Sequence, residues 1–132
     1  MNYITRAKEG IMVQNKDEVY FQTGLQSFIN QLCIQNISTY DGRKLAAKRL
    51  LNTRAKVPIY VSDSILLLFT HSIRNQNCCA INFHQVMSYK KVDLKTKITF
   101  YDFSYLWTDV SETIIDNQMK KCVRLLERII DN

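Results

Sequence analysis

The sequence predicts an α+β fold: a largely antiparallel sheet, a basic helix near residues 42–52, and a C-terminal amphipathic helix packed on the sheet. Three observations carry this. Short β-branched or wholly apolar runs recur between Pro58 and Trp107, separated by short turns. After Ser111, apolar residues recur every three or four positions to Ile130. The chain has 132 residues, 46% of them hydrophobic, with three Gly and one Pro, so it can fill a core but has no material for a flexible linker. Residues 1–132 therefore read as one domain.

In chain order, "YITRA" and "GIMVQ" form two short strands turning at Lys8-Glu9-Gly10, with "EVYFQ" (Glu18 to Gln22) a third. Leu25, Phe28, Ile29, Leu32 and Cys33 fall at helical spacing and predict a core-packing helix. Tyr40–Asp41 can begin the basic helix, which carries Arg43 to about Leu51. Ala46, Ala47, Leu50 and Leu51 then share one side, and Lys44 and Lys48 stack one turn apart on another, flanked by Arg49. "PIYV" and "SILLLF" are strands divided by Ser62-Asp63, and "CCAINF", "HQVMSY", "KITFYDF" and "SYLW" follow. In "KITFY", Ile98 and Phe100 share a face opposite Lys97, Thr99 and Tyr101. The final helix is capped by Ser111 and carries Glu112 in its first turn, where the helix dipole favours a negative charge. Ile114, Ile115, Met119, Cys122, Leu125, Leu126, Ile129 and Ile130 form its apolar stripe; Lys120, Lys121, Arg124 and Arg128 cover the other side.

Several function classes find no support. There is no Gly-rich phosphate loop, G-x-S-x-G elbow or H-E-x-x-H, so the chain does not read as an enzyme and no cofactor is expected. His71 and His84 read as turn or surface histidines. Cys33, Cys78, Cys79 and Cys122 include no C-x-x-C, which argues for free thiols rather than a metal site. The N-terminus lacks the apolar core of a secretory signal. The longest apolar run, Ile65 to Phe69, is far short of the roughly 20 residues that span a bilayer. A cytoplasmic protein with no membrane partner is expected.

Charge is the informative feature. The chain holds 18 Lys and Arg against 12 Asp and Glu, and Arg43, Lys44, Lys48, Arg49, Arg54 and Lys56 equal that entire surplus of six. No acidic residue interrupts them between Gly42 and Ser62. Like charges four apart on a helix repel by a few tenths of a kcal/mol. A polyanion converts that repulsion into attraction by releasing condensed counterions. These six are the candidate DNA-binding residues. A solvated surface helix, an acidic protein partner and a membrane surface are the alternatives that charge alone leaves open.

The order of segments then resembles the ComK family of competence transcription factors. Gly42-Arg43-Lys44, eleven residues, Lys56, one residue, Pro58-Ile59, one residue and Val61 is similar to that family's signature. Leu68-Phe69-Thr70-His71-Ser72 stands where the family has F-P-T-x-S, and Cys78 and Ile81 hold the outer places of its C-x-W-I. Val86, "KITFYD" and the closing helix are placed similarly. The resemblance is close from about Tyr40 to Asp102 and looser elsewhere. It implies a bacterial activator that binds paired A·T-rich boxes in double-stranded DNA, largely through the minor groove, and turns on DNA-uptake genes. Arg43, Lys44 and Lys56 hold family positions, whereas Lys48, Arg49 and Arg54 are assigned from charge alone. The resemblance also implies a homo-oligomer and a regulatory adaptor or protease partner. Ala80 replaces the family's Trp, Phe69 its Pro, and the chain ends where the family continues into a tail, so a short member or paralogue is expected. Two other readings compete: a protein that pairs with and modulates a full-length ComK, and a general nucleic-acid-binding module, RNA included, that stacks bases on aromatic side chains.

Overall fold

The computed structural model describes residues 1–130, with the Ile130 side chain excepted; that last residue of the expected stripe and residues 131–132 of the expected domain lie outside the described residues. The elements are β1 (Tyr3–Ala7), β2 (Gly10–Gln14), β3 (Glu18–Phe21), α1 (Leu25–Gln35), α2 (Tyr40–Leu51), β4 (Ile59–Ser62), β5 (Ile65–Phe69), β6 (Ala80–Asn82), β7 (Val86–Val92), β8 (Lys95–Phe100), β9 (Tyr105–Thr108) and α3 (Glu112–Ile130). The fold is α+β and its strand pairings are antiparallel, as the sequence predicts.

The strands divide between two sheets. Six pair in the order β3-β2-β1-β6-β5-β4, and β7-β8-β9 make a separate three-stranded sheet. The break falls at Phe83–Gln85, a short 3-10 turn in which the His84 amide is capped by the Asn82 side chain. Asn82 is 1% exposed. Its Oδ1 also accepts from the Leu66 amide at 3.2 Å, and its Nδ2 donates to the carbonyls of Met1 (2.9 Å) and Ser64 (3.1 Å). One side chain thus ties the N-terminus, β5 and the start of the second sheet together. At the first hairpin Gly10 has φ 145°, and a Cβ there would lie 2.0 Å from the Phe21 carbonyl oxygen, so the β1–β2 turn requires glycine.

The larger sheet is buried on both faces at β5 and β6, which explains the unbroken apolar run of β5, whereas the edge strand β3 is exposed. Leu67 and Phe69 join a core with Ile4, Ile11, Val13 and the α1 residues Leu25, Ile29 and Cys33. Leu66 and Leu68 point the other way, into a core with Tyr3, Ile81, Ile98, Phe100 and the α3 residues Ile115, Cys122 and Leu125. A strand with two buried faces shows no polar alternation. The adjacent cysteines divide the same way: Cys78 joins the α1 core and Cys79 packs against the α3 core.

α2 packs against β4, an edge strand, and contributes to both cores, Tyr40 to one and Ala47 and Leu51 to the other. Its cap is Thr39, whose Oγ1 accepts from the Gly42 amide at 3.0 Å, rather than Tyr40 or Asp41. The expected apolar side also differs. Ala46 is exposed and Leu45 is 51% exposed. Because the helix crosses from one layer to the other, its inner face shifts toward Tyr40, Lys44, Ala47, Lys48 and Leu51. α3 is capped as expected, with Ser111 Oγ accepting from the Ile114 amide at 3.2 Å.

Removing the Asn82 side chain strands buried donors and acceptors in three segments at once. Asn82→Ala is expected to cost about 3 kcal/mol in urea unfolding, from several unpaired buried groups at about 1–3 kcal/mol each. A loss below about 0.5 kcal/mol would mean the hub does not join the two sheets.

Candidate nucleic-acid interface

α2, the loop from Asn52 to Val57, the turn after β5 and the start of α3 enclose a cleft. Lys44 and Lys48 reach it from α2, Arg54 and Lys56 from the loop; Phe69, Val110 and Ile114 are among its apolar walls. Lys56 also borders a second, adjoining concavity on α3, lined by Lys121 and Arg124. Lys120 lies there too but is paired with Asp116 at 2.9 Å. Among the described residues, neither concavity is lined by an aspartate or glutamate.

The loop is held by hydrogen bonds from α3. Gln118 is 2% exposed, and its Nε2 donates to the Lys56 carbonyl and to the Phe69 carbonyl, both at 3.0 Å. Lys121 Nζ donates to the Ala55 carbonyl at 2.6 Å. Asn52 ends α2 in the left-handed region with φ 51°, and its amide bonds back to the Lys48 carbonyl. Lys56 has φ 43°, a conformation that costs a non-glycine residue of order 1 kcal/mol and persists only where its surroundings fix it. The Gln118 bond supplies that fixing. Burial first, and then the charges of Lys56 and Arg124, hold the Lys121 ammonium below its ordinary pKa. The fold has gathered cations that repel one another, and an anion would relieve them.

The six residues expected at the interface are not all brought together. Lys44, Lys48, Arg54 and Lys56 share the cleft. Arg43 lies elsewhere on the helix, its guanidinium 5.4 Å from the Tyr60 ring centroid and its Nε buried without a hydrogen-bond partner. Tyr60 in turn hydrogen-bonds Asp63. Arg49 is exposed and does not line the cleft. Sequence reasoning did not include Lys121 and Arg124 among the interface residues, placing them only on the side of the final helix opposite its apolar stripe. The only available signal was their helical register opposite the stripe, and register does not reveal which loop an exposed face meets.

His71 borders the cleft. The Thr70 Oγ1 accepts from the Cys79 amide at 2.9 Å and shares a hydrogen bond with His71 Nδ1 at 2.8 Å, while His71 Nε2 lies 3.5 Å from Asp109. Thr70 is 1% exposed and its oxygen is committed on both sides, so this network positions the turn rather than presenting a nucleophile. Burial raises the thiols of Cys78 and Cys79, the latter to about 11, which leaves them protonated and unreactive at neutral pH. No group of three or more His, Cys, Asp or Glu among the described residues could hold a metal, and no helix there is long and apolar enough to cross a membrane.

A cleft lined by cations and by no acidic residue is electrostatically complementary to a polyanion. Residues 3–132 match the family described as ComK protein, and the chain belongs to the ComK family, whose members are competence-related transcription factors rather than enzymes. No curated protein and no solved structure matches the chain. Phe69 and Ala80, the two positions where the motif resemblance departs, are cross-strand partners in β5 and β6, inside the same core.

Gln118→Leu removes two carbonyl partners while roughly preserving volume. It is expected to cost about 2–3 kcal/mol in thermal or urea unfolding and to raise amide exchange from Thr53 to Val57 above that of β5. Stability and exchange equal to wild type would show that the loop is held by something else.

Proposed function

We propose that this chain is a DNA-binding regulator of competence genes that seats the backbone of A·T-rich double-stranded DNA in the cleft between α2, the Asn52–Val57 loop and α3. The observation that carries the reading is the convergence of Lys44, Lys48, Arg54, Lys56, Lys121 and Arg124 from three segments, with no carboxylate among the lining residues. Membership of a family of competence-related transcription factors supports DNA as the polyanion in this reading. The lysines serve as phosphate contacts, which position the protein without reading sequence. Arg54 is the exposed guanidinium of the loop. It is suited to enter a narrow A·T minor groove, where the negative potential is enhanced and a planar, weakly hydrated cation is preferred. Arg43 braces α2 against Tyr60, and Arg49 is left at the rim. The regulator acts as a homo-oligomer on paired boxes in this reading.

A salt titration of duplex binding separates these roles. Lys44→Ala/Lys48→Ala is expected to weaken binding to every duplex and to flatten the slope of log affinity against log salt by about two units. Arg54→Lys should keep the slope and erode the preference for A·T boxes over scrambled duplex. Arg43→Ala should lower stability by about 1 kcal/mol with the slope unchanged. An unchanged slope in the folded double variant would move the DNA to another surface.

A further inference from the structure

The three-stranded sheet turns one face to the α3 core and the other to solvent. Cross-strand partners share a face, and the register pairs Lys97 with both Lys90 and Trp107, and Thr99 with both Ser88 and Tyr105. The solvent face therefore carries Lys90, Lys95 and Lys97 with Tyr105 and Trp107, and no carboxylate projects from its strands on that side. Aromatic side chains in strands ordinarily fill a core. Here Tyr105 and Trp107 of β9 are each at least 42% exposed, as are Tyr101 and Phe103 in the turn before it. The Tyr105 and Trp107 rings stand nearly perpendicular, 79° apart with centroids 6.3 Å apart, so neither ring is stacked face to face on the other. Lys97 Nζ lies 4.5 Å from the Tyr105 centroid and 5.7 Å from that of Trp107.

We propose that this face binds single-stranded DNA, with bases stacking on Trp107 and Tyr105 and phosphates meeting Lys97, Lys90 and Lys95. Duplex bases are already stacked on one another and offer no free π-face, whereas a single strand offers one per nucleotide. The lysines select a polyanion over an apolar protein partner, and Lys97 places a cation where the phosphate beside a stacked base would lie. The choice of DNA over RNA rests on the function proposed above; the platform itself does not. A strand displaced from a duplex held in the cleft is the form in which the chain would meet it.

Trp107 is the only tryptophan of the chain, so its fluorescence reports on the platform alone. Titrating the full chain with oligothymidylate of about a dozen nucleotides should quench that emission. Tyr105→Ala and Lys97→Ala, checked for folding by melting, should each weaken the quenching titration about tenfold. The cleft variant Lys44→Ala/Lys48→Ala should bind the oligonucleotide as wild type does while losing duplex affinity. If wild type quenches normally but fails to bind A·T duplex, the platform stands and the cleft reading falls. The proposal is overturned by no quenching, by quenching with oligouridylate only, by loss of quenching in the cleft variant alone, or by emission that follows protein concentration instead, as a second copy covering the face would cause.

Discussion

One buried side-chain amide sets the geometry on which the cleft depends. Gln118 reaches from α3 to the carbonyls of Lys56 and Phe69, joining the basic loop to the end of β5 through a single group. Cations separated by a few ångströms repel, and a free loop carrying Arg54 and Lys56 would swing away from Lys44, Lys48 and Lys121. The loop cannot do so while the Lys56 carbonyl is held from the core side and the Ala55 carbonyl is held by Lys121. The left-handed backbone at Lys56 is the local cost of that arrangement. Preorganised charge then meets a polyanion without an ordering penalty at the moment of binding.

The scaffold behind the cleft is the part of the larger sheet, at β5 and β6, that is buried on both faces. β5 inserts alternate side chains into two cores, ends at Phe69 and delivers the Thr70–His71 turn to the cleft wall. α2 spans the two layers at the β4 side, which is why its inner face carries Lys44 and Lys48 beside Ala47 and Leu51 rather than a wide apolar stripe. Lys44 also lies 5.8 Å from the Tyr40 ring centroid, so an aromatic supports the stem of a cleft lysine.

Much of this was legible in the sequence, where local chemistry decides the structure. The β1–β2 hairpin, the α1 helix, the β5 run and the Ser111 cap follow from turn residues, helical spacing and capping, and each forms where those signals stand. The ordered family motifs between Gly42 and Val86 were legible too. What was not legible depends on long-range pairing. Nothing local says that β1 pairs with β6, that the strands split after Asn82, or that Lys121 and Arg124 meet the Lys56 loop. Ala46 was misplaced because the 3.6-residue period gives the faces of a helix but not which one a two-layer contact selects. The exposed aromatics of β9 could not be singled out for the opposite reason: aromatic side chains offer stacking faces in general, strand aromatics ordinarily fill a core, and only the register turns Tyr105 and Trp107 outward.

Lysine acetylation footprinting with and without A·T duplex tests the central claim most directly, because it reads each ammonium separately in the unmodified chain. If the cleft holds the DNA backbone, Lys44, Lys48, Lys56 and Lys121 lose reactivity together on binding, while Lys8, Lys16 and the sheet lysines Lys90, Lys95 and Lys97 keep theirs. Protection confined to the sheet lysines, or to none of the four cleft lysines, would contradict it.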